Sequence, residues 1–377
     1  MRFNIWKDYE YMDLPDILSF IVDNRGKTVP TDVNGNHILI ATNCIRNENL
    51  YPSYDKVRLI GENTYKNWFR AHPKPGDIIF VNKGTPGRVC MVPDPVDFCI
   101  AQDMIALRVK REIIYNKYLL AVLRSKKIQN QIAATTVGDV IPHFKKQQLR
   151  EIKIPVPPMK IQKIIGDYYF AFCKKELINN KINRNLQEQC DAIYKNMFEI
   201  NFDDNWRVGY LSELITIKYG KDHKKLGNGN IPCYGSGGVM RYVEKSIYDH
   251  ESVLIPRKGT LNNVLYVNTP FWSVDTMFYT VMKLANVAKF VYHFVKEKDL
   301  DLMNAGSAVP SMTTDILYAM ELRIPSDDVL AKFEDFVSPL YKAISDNSVE
   351  NKKLAEVRDT LLSKLMTGEL DVSALEM

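Results

Sequence analysis

The chain has 377 residues, is 46% hydrophobic and carries a formal net charge of +5, a composition that excludes a mainly disordered protein. The absence of a run of roughly 18 apolar residues excludes a transmembrane helix, and the absence of an apolar segment after Met1 argues against a signal peptide, so we expect a cytoplasmic protein. Six cysteines without a C-x-x-C pair argue against a zinc ribbon or a disulfide framework.

The charge is distributed unevenly along the chain. Residues 1–155 carry 23 Lys and Arg against 16 Asp and Glu, whereas residues 326–377 carry 6 against 11. A basic first half is compatible with a phosphate backbone as partner, although many ordinary domains are as basic. Charge alone therefore does not select a function.

Residues 1–157 are predicted to form the first globular domain. Short β-branched and aromatic runs alternate there with Gly, Pro and Asn, which indicates strands and turns. One helix is predicted at residues 116–131, before a closing strand at 151–155. This pattern is typical of a mixed α/β domain in which β-structure dominates.

Residues 158–200 are predicted to form a long central spacer helix. Residues 159–198 contain no proline and one glycine, and apolar residues that include Ile178, Ile182, Leu186 and Ile193 recur at helical spacing. A helix of about 40 residues would be roughly 60 Å long. Its apolar stripe requires a partner.

Residues 201–326 repeat the first domain. The matching segments keep the same order in both copies, with offsets between 168 and 175 residues: 77–85 with 252–260, 102–104 with 274–277, 140–142 with 308–310, and 151–155 with 321–325. Their collinear order indicates a duplicated domain with loop insertions. A second helix is predicted at 287–295.

Residues 327–377 are predicted to form a second long helix and a tail. Leu354 and Leu361 repeat the seven-residue step of Leu186 and Ile193, and Thr367-Gly368 is a typical helix end. The two long helices are predicted to pack as an antiparallel coiled coil that separates the domains. A helix that breaks at Pro339 and folds back on its own domain is the alternative. The predicted fold class is therefore α+β in tandem duplication, with a two-helix coiled coil.

Two equivalent loops carry the strongest candidate site. Each follows an apolar strand and contains Lys-Gly-Thr, whose free backbone N–H groups, hydroxyl and cation suit a phosphate oxygen. A hairpin turn whose glycine serves only the backbone is the alternative. Basic loops near the start of each domain add further candidates. The phrase Tyr-Gly-Ser-Gly-Gly at 234–238 lacks the spacing of a nucleotide-binding P-loop.

No catalytic chemistry can be assigned from the sequence. It lacks a motif for a flipped base, an S-adenosylmethionine loop, a helicase motor loop and a spacing of its six histidines that predicts a metal site. Asp139, Glu151 and Lys153 faintly resemble a nuclease triad, but Ser307, Glu321 and Arg323 replace them in the second copy. A strand position explains these residues better.

Two repeats that each end in an Ile-Pro strand and a long helix resemble the specificity subunits of type I restriction-modification enzymes. The second half carries the more specific phrases, which are Tyr-Gly-Ser-Gly-Gly-Val at 234–239, Val-Leu-Ile-Pro-Arg-Lys-Gly-Thr at 253–260 and Pro-Phe-Trp-Ser-Val-Asp-Thr at 270–276. The ending at 361–370 is also typical. The first domain lacks Tyr-Gly-Ser-Gly-Gly, as expected for a domain that reads a different half-site.

The resemblance implies a DNA-recognition subunit without catalytic activity. Each domain would read one half of a bipartite, asymmetric site in double-stranded DNA, and the helices would fix the spacing near one DNA turn of about 34–36 Å. Two methylation subunits would bring S-adenosylmethionine, and motor-nuclease restriction subunits would use ATP and Mg²⁺. This chain itself would bind no cofactor or metal.

The candidate DNA-binding residues follow from the loops and from the resemblance: Arg25, Lys27, Lys83, Thr85, Arg88, Lys221, Lys224, Tyr234, Ser236, Arg257, Lys258, Thr260 and Asn262. Leu186, Ile193, Leu354 and Leu361 are the candidate coiled-coil or partner residues. Two alternatives stay open at this point. One is a protein-interaction scaffold with two paralogous binding domains on a helical spine, and the other is a nuclease built on Glu151 and Lys153.

Overall fold

The computed structural model describes residues 4–24, 26–136, 142–303 and 310–370. The chain divides into two compact units, the first formed by Met1–Lys181 with Asn347–Met377 and the second by Ile182–Asp346. Both points of division lie inside the long helices. Each unit therefore contains one globular domain, the beginning of the helix that follows it and the end of the other long helix.

The first unit contains nine strands among its described residues. They are β1 (Tyr11–Asp13), β2 (Leu18–Val22), β3 (His37–Ile40), β4 (Arg58–Ile60), β5 (Ile78–Val81), β6 (Val89–Met91), β7 (Phe98–Ile100), β8 (Met104–Val109) and β9 (Lys153–Pro155). They form a four-stranded antiparallel sheet β2-β8-β5-β6, a three-stranded sheet β4-β3-β7 with a parallel β3–β7 pair, and the pair β1-β9. The helices are α1 (Glu62–Asn67), α2 (Asn116–Arg124), α3 (Lys126–Thr135) and the first part of α4 (Met159–Lys195).

The second unit repeats this topology strand by strand. Its described strands are β10 (Val208–Tyr210), β11 (Ile215–Tyr219), β12 (Asn228–Gly235), β13 (Gly238–Val243), β14 (Ser252–Pro256), β15 (Leu265–Val267), β16 (Trp272–Ser273), β17 (Met277–Met282) and β18 (Glu321–Arg323). The sheets are β11-β17-β14-β15, β13-β12-β16 with a parallel β12–β16 pair, and β10-β18. The helices are α5 (Leu211–Leu214), α6 (Ala288–Lys296), α7 (Thr314–Tyr318) and the first part of α8 (Asp327–Thr367).

The predicted duplication is thus confirmed in three dimensions. The residues that close each domain, 153–155 and 321–323, pair antiparallel with the first strand of the same domain. The central strands β5 and β14 are buried along their whole length, which explains why their sequences match. The repeat between 140–142 and 308–310 lies largely outside the described residues.

Both long helices contribute to the core of each unit. In the first unit Ile165 and Tyr169 of α4 lie in one apolar cluster with Leu362 and Leu365 of α8. In the second unit Tyr194 of α4 lies in one cluster with the helix α8 residues 333 and 337. The six cysteines are buried and free, and burial raises the pKa of Cys90 to about 12. They serve as packing residues.

The long helices run antiparallel within each unit, as predicted. In the first unit Glu176 pairs with Arg358, whereas Asn179, further along α4, donates to Glu350, which lies earlier in α8. In the second unit Asn183 donates to the Ile344 carbonyl oxygen, and the Tyr194 ring lies 6.1 Å from that of Phe333. The helix α8 continues through Pro339 and ends at Thr367, before Gly368 with φ of 76°.

Two local predictions were wrong. The helix predicted at residues 116–131 is two helices, because Ser125 has extended backbone angles and its Oγ accepts from the Ile128 N–H as the cap of α3. The stripe predicted along α4 fails at Ile178 and Ile182, which are exposed, whereas Asn179 between them is fully buried. A polar contact replaces the apolar one there. In the described part of the chain, every helix is too short or too polar to span a membrane.

Candidate nucleic-acid interface

The two Lys-Gly-Thr loops occupy equivalent positions. One joins β5 to β6 and the other joins β14 to β15. Gly84 and Gly259 have φ of 84° and 88°, in the left-handed region that favours glycine. In both loops the lysine forms an isolated backbone bridge, Lys83 with His143 and Lys258 with Ser311. The loops are therefore built and anchored in the same way.

In the second unit a second loop lies against the Lys-Gly-Thr loop. The Asn263 side-chain amide donates to the Ser236 carbonyl oxygen over 2.8 Å, and a Cβ added at Gly259 would lie 2.7 Å from Ser236 Oγ. Lys258 and Thr260 are exposed beside this contact. The structure thus brings together Ser236, Lys258 and Thr260, which are distant in sequence.

The basic loop that follows β11 reaches the same edge of the domain. The Lys221 N–H donates to the Ser273 carbonyl oxygen over 2.8 Å, and Trp272 Nε1 donates to the Lys221 carbonyl oxygen over 3.0 Å. Strand β16 also pairs with Tyr234 of β12. Lys221 and Lys224 are both exposed. This edge of the second unit therefore carries several exposed cations.

Arg257 lies at the start of the second Lys-Gly-Thr loop. Its guanidinium carbon is 5.4 Å from the centre of the Tyr219 ring, and Nη1 donates to the Asp275 carbonyl oxygen over 3.3 Å. Tyr219 is 53% exposed. Tyr219 is not among the binding residues that the sequence predicts, although its place at the end of a strand beside basic residues is a usable signal.

Two candidate residues of the second unit have clear structural contacts. Tyr234 is partly buried near Phe271, with ring centres 6.4 Å apart, and burial raises the pKa of its hydroxyl. The Asn262 side chain donates to Asp301 over 2.9 Å and accepts from the Leu300 N–H over 2.7 Å. Any DNA contact by these two side chains stays a prediction.

In the first unit the loop also contacts its own domain. Lys83 lies 4.0 Å from Asp103, and the Gly87 carbonyl oxygen accepts from the Gln129 side chain over 2.9 Å. Thr85 is half-buried and Arg88 is exposed. Lys27 is exposed, and no hydrogen bond or ion pair among the described residues joins it to this loop. Arg25 lies outside the described residues.

Several exposed candidate cations have no carboxylate partner among the residues that the structure describes. They are Lys27, Arg88, Lys221, Lys224 and Lys258. An unpaired cation on a surface loop can neutralise a phosphate without first breaking an ion pair. The electrostatic requirement for binding a nucleic acid backbone is therefore met in both units.

The four candidate helix residues are all half-buried. Ile193 packs against the core of the second unit and Leu361 against that of the first. Leu186 and Leu354 are half-buried as well. Buried neighbours such as Cys190 and Leu362 lie beside them. Half-burial leaves part of each candidate side chain accessible to a partner.

The nuclease alternative gains no geometric support. Lys153 is paired with Asp13 over 2.5 Å, and Glu151 is exposed at the end of a short 3-10 helix. Asp139 lies outside the described residues. Within the described ranges, no group of three His, Cys, Asp or Glu side chains could hold a metal ion.

Known proteins resemble this chain over most of its length. The family model of the type I restriction modification DNA specificity domain matches residues 6–188 and 203–357. The type I restriction enzyme MjaIX specificity subunit of Methanocaldococcus jannaschii is 22% identical over 351 residues, covering 81% of this chain and 80% of the relative. The HindI specificity subunit of Haemophilus influenzae is 31% identical over 87 residues, which are 22% of this chain and 19% of the relative.

A solved structure shares the fold. The type I restriction-modification S subunit from M. genitalium aligns with a TM-score of 0.61 and 18% sequence identity, covering 95% of this chain and 96% of that one. At this identity the likeness concerns the fold. Together with the two family matches, it accounts for both domains and for the helices that follow them.

Proposed function

The chain belongs to the type I restriction-modification DNA specificity family, and from that premise we propose that its two domains read the two unlike halves of one DNA site. Residues 1–157 and 201–326 are the proposed target-recognition domains. The observation that carries this proposal is the Lys-Gly-Thr loop, which recurs at the same position of the same topology with exposed cations around it. Duplicated phosphate anchors beside different side chains suit a bipartite, asymmetric site.

The loops and their surroundings have different proposed roles. Lys83 and Lys258, with the hydroxyls of Thr85 and Thr260, position the DNA backbone, because contacts to phosphate carry no sequence information directly. Side chains around them read base edges in the major groove. The long helices set the separation of the two half-sites.

The helices also offer docking surfaces for the proposed methylation subunits. Exposed apolar side chains lie on them in each unit, with Ile178, Val349 and Val357 in the first and Ile182 and Phe336 in the second. We propose one methylation subunit for each unit. The partners supply S-adenosylmethionine, and motor-nuclease subunits supply the ATP- and Mg²⁺-dependent steps, so this chain has no catalytic residue in the proposal.

Salt dependence of binding to random-sequence duplex DNA tests this function. If four to six phosphates are neutralised, affinity should fall roughly 10²- to 10³-fold between 50 and 200 mM salt, because counterions are released on binding. The assay uses the chain in complex with its methylation partner. Affinity that is independent of salt would contradict DNA recognition and favour the protein-interaction scaffold.

A further inference from the structure

The residue that follows the central strand occupies the same place in both domains. Val81 of β5 lies opposite Met104, and Pro256 of β14 lies opposite Met277. The next residues, Asn82 and Arg257, therefore hold equivalent positions beside the lysine of each Lys-Gly-Thr loop. The duplicated scaffold thus presents an amide in one domain and a guanidinium in the other.

The guanidinium of Arg257 is oriented but incompletely bonded. Tyr219 lies 5.4 Å from it, and the Tyr219 ring is itself fixed by an edge contact with Phe278 at 5.1 Å. The guanidinium donates to the Asp275 carbonyl oxygen. Among the described residues it has no other hydrogen bond and no carboxylate partner. Since arginine has five N–H donors, most of them are available to a ligand.

The first domain has no comparable group at this position. Because the registers align Met104 with Met277, Asp23 takes the place of Tyr219. Asp23 forms an ion pair with Lys146. Asn82 is 9% exposed, and its side-chain oxygen is buried without a hydrogen-bond partner among the described residues. An oriented arginine on a tyrosine ring is thus specific to the second domain.

We propose that Arg257 reads a guanine in the major groove of the half-site bound by the second domain, and that Tyr219 is its positioning residue. Guanine presents O6 and N7 as two adjacent acceptors, which match two parallel N–H donors of a guanidinium. Lys258, the next residue, remains a phosphate contact. This inference rests on the proposed function, and it requires the first half-site to be read by other groups.

The test has two stages. Selection from random duplex DNA with the wild-type chain and its methylation partner first defines the two half-sites. Competition binding then measures duplexes in which each base pair of the second half-site is replaced in turn. Replacing the guanine that Arg257 reads should weaken wild-type binding about 5- to 150-fold.

The variants separate base reading from other roles. Arg257→Ala should abolish the preference for that one G·C pair while the first half-site keeps its full discrimination, which also shows that the variant complex is folded. Tyr219→Leu should reduce the preference for this G·C pair. Tyr219→Phe, which keeps the ring, should retain it. Lys258→Ala is the matched control, because it should weaken all duplexes equally.

The outcomes distinguish this inference from the function on which it rests. If Arg257→Ala leaves the preference at every position of the second half-site unchanged, the inference is wrong and the proposed function stands. If the wild-type complex is folded and enriches no motif, the proposed function itself fails. A second half-site without any guanine would also overturn the assignment to Arg257.

Discussion

The two domains share their strands and differ at the edge that carries the candidate interface. Strand order, the parallel pair in the small sheet and the lysine bridge recur in both. At the edge, Arg257 and Tyr219 in one domain correspond to Asn82 and Asp23 in the other. Buried central strands tolerate little change in volume, whereas residues at the loop edge can change without disturbing the packing of the strands. Duplication therefore preserved the scaffold and left the edge free to diverge.

The two units also fasten their long helices differently. In the first unit Arg358 and Glu176 form a nearly buried ion pair, with side chains 11% and 14% exposed. In the second unit His293 Nδ1 lies 3.0 Å from the Asp191 carboxylate, and His293 Nε2 forms a 3.0 Å hydrogen bond with the Tyr341 hydroxyl. Lys296 also pairs with Asp191. The antiparallel helix pairing is thus held by an Arg–Glu ion pair in the first unit and by a His–Asp–Lys–Tyr network in the second. Variants of these residues can measure the two contributions separately.

The largest expected effect is the loss of the ion pair in the first unit. Glu176→Ala leaves the Arg358 guanidinium with the exposed Asp359 as its remaining carboxylate partner, which should lower the free energy of unfolding of that unit by about 3 kcal/mol. Hydrogen exchange along residues 347–367 measures it. Lys175→Ala removes the exposed pair with Glu350 and should cost less than about 1 kcal/mol. Equal effects of the two variants would contradict this account.

The next effect is steric and belongs to the second unit. A Cβ at Gly220 would overlap the Val274 carbonyl oxygen, whereas one at Gly237 would meet nothing within 4 Å. Gly220→Ala should therefore lower the stability of the second unit by about 1 to 3 kcal/mol, and Gly237→Ala should change it little. The stabilities of the two variants are compared by urea unfolding, monitored through hydrogen exchange in β11. If Gly220→Ala is as stable as the wild type, the close contact between Gly220 and the Val274 carbonyl oxygen does not require a glycine.

Acid should lower the stability of the second unit more than that of the first, and this effect should be smaller than the two above. Burial lowers the pKa of His293, and the contacts of Asp191 with His293 and Lys296 hold the pKa of Asp191 well below its usual range. As pH falls below about 6.5, unfolded His293 gains a proton that the folded state resists, so the second unit loses stability. Burial raises the pKa of Glu176 instead, so the contribution of Glu176 to the first unit increases as pH falls toward that pKa.

Hydrogen exchange of α6 and α2 at pH 7 and pH 5.5, corrected for intrinsic rates, tests this difference. Protection of α6 should fall more than protection of α2. His293→Gln should reduce the pH dependence of α6 because it removes the titrating ring. Equal losses in α2 and α6 would show that the difference between the two helix networks does not control the acid response.

The smallest effect concerns a single phosphate contact. Lys258→Ala should reduce the slope of log affinity against log salt by about 0.9 and leave base preference unchanged. Lys353→Ala, which removes an exposed lysine of α8, is the matched control and should leave the slope unchanged. A changed base preference for Lys258→Ala would mean that this lysine reads a base.

Much of the fold could be predicted from the sequence because duplication repeats local signals. Collinear phrases located both domains, and the apolar period located both long helices. Contacts between loops could not be predicted in the same way, since the bond from Asn263 to Ser236 and the stacking of Arg257 on Tyr219 depend on tertiary structure. The buried Asn179 was missed because periodicity assigns buried positions to apolar residues.

The sequence predicted which cations are exposed at the candidate site, but it did not predict how the side chains of the site are arranged. Lys221 and Lys258 are exposed as expected for phosphate contacts, and their DNA contacts remain predictions. The place of Asn262 in the loop predicts a binding residue, and the structure shows that its side chain bonds to the turn at 299–301. The sequence of a loop gives its polar side chains but not the hydrogen bonds that these side chains form with the rest of the domain.

The most direct test of the central claim is a selection from random duplex DNA with the wild-type chain bound to its methylation partner at near-physiological salt. Two duplicated domains with different edges predict two short, unlike motifs separated by one fixed number of unspecified base pairs. A single motif, two copies of the same motif or a variable separation would contradict the account.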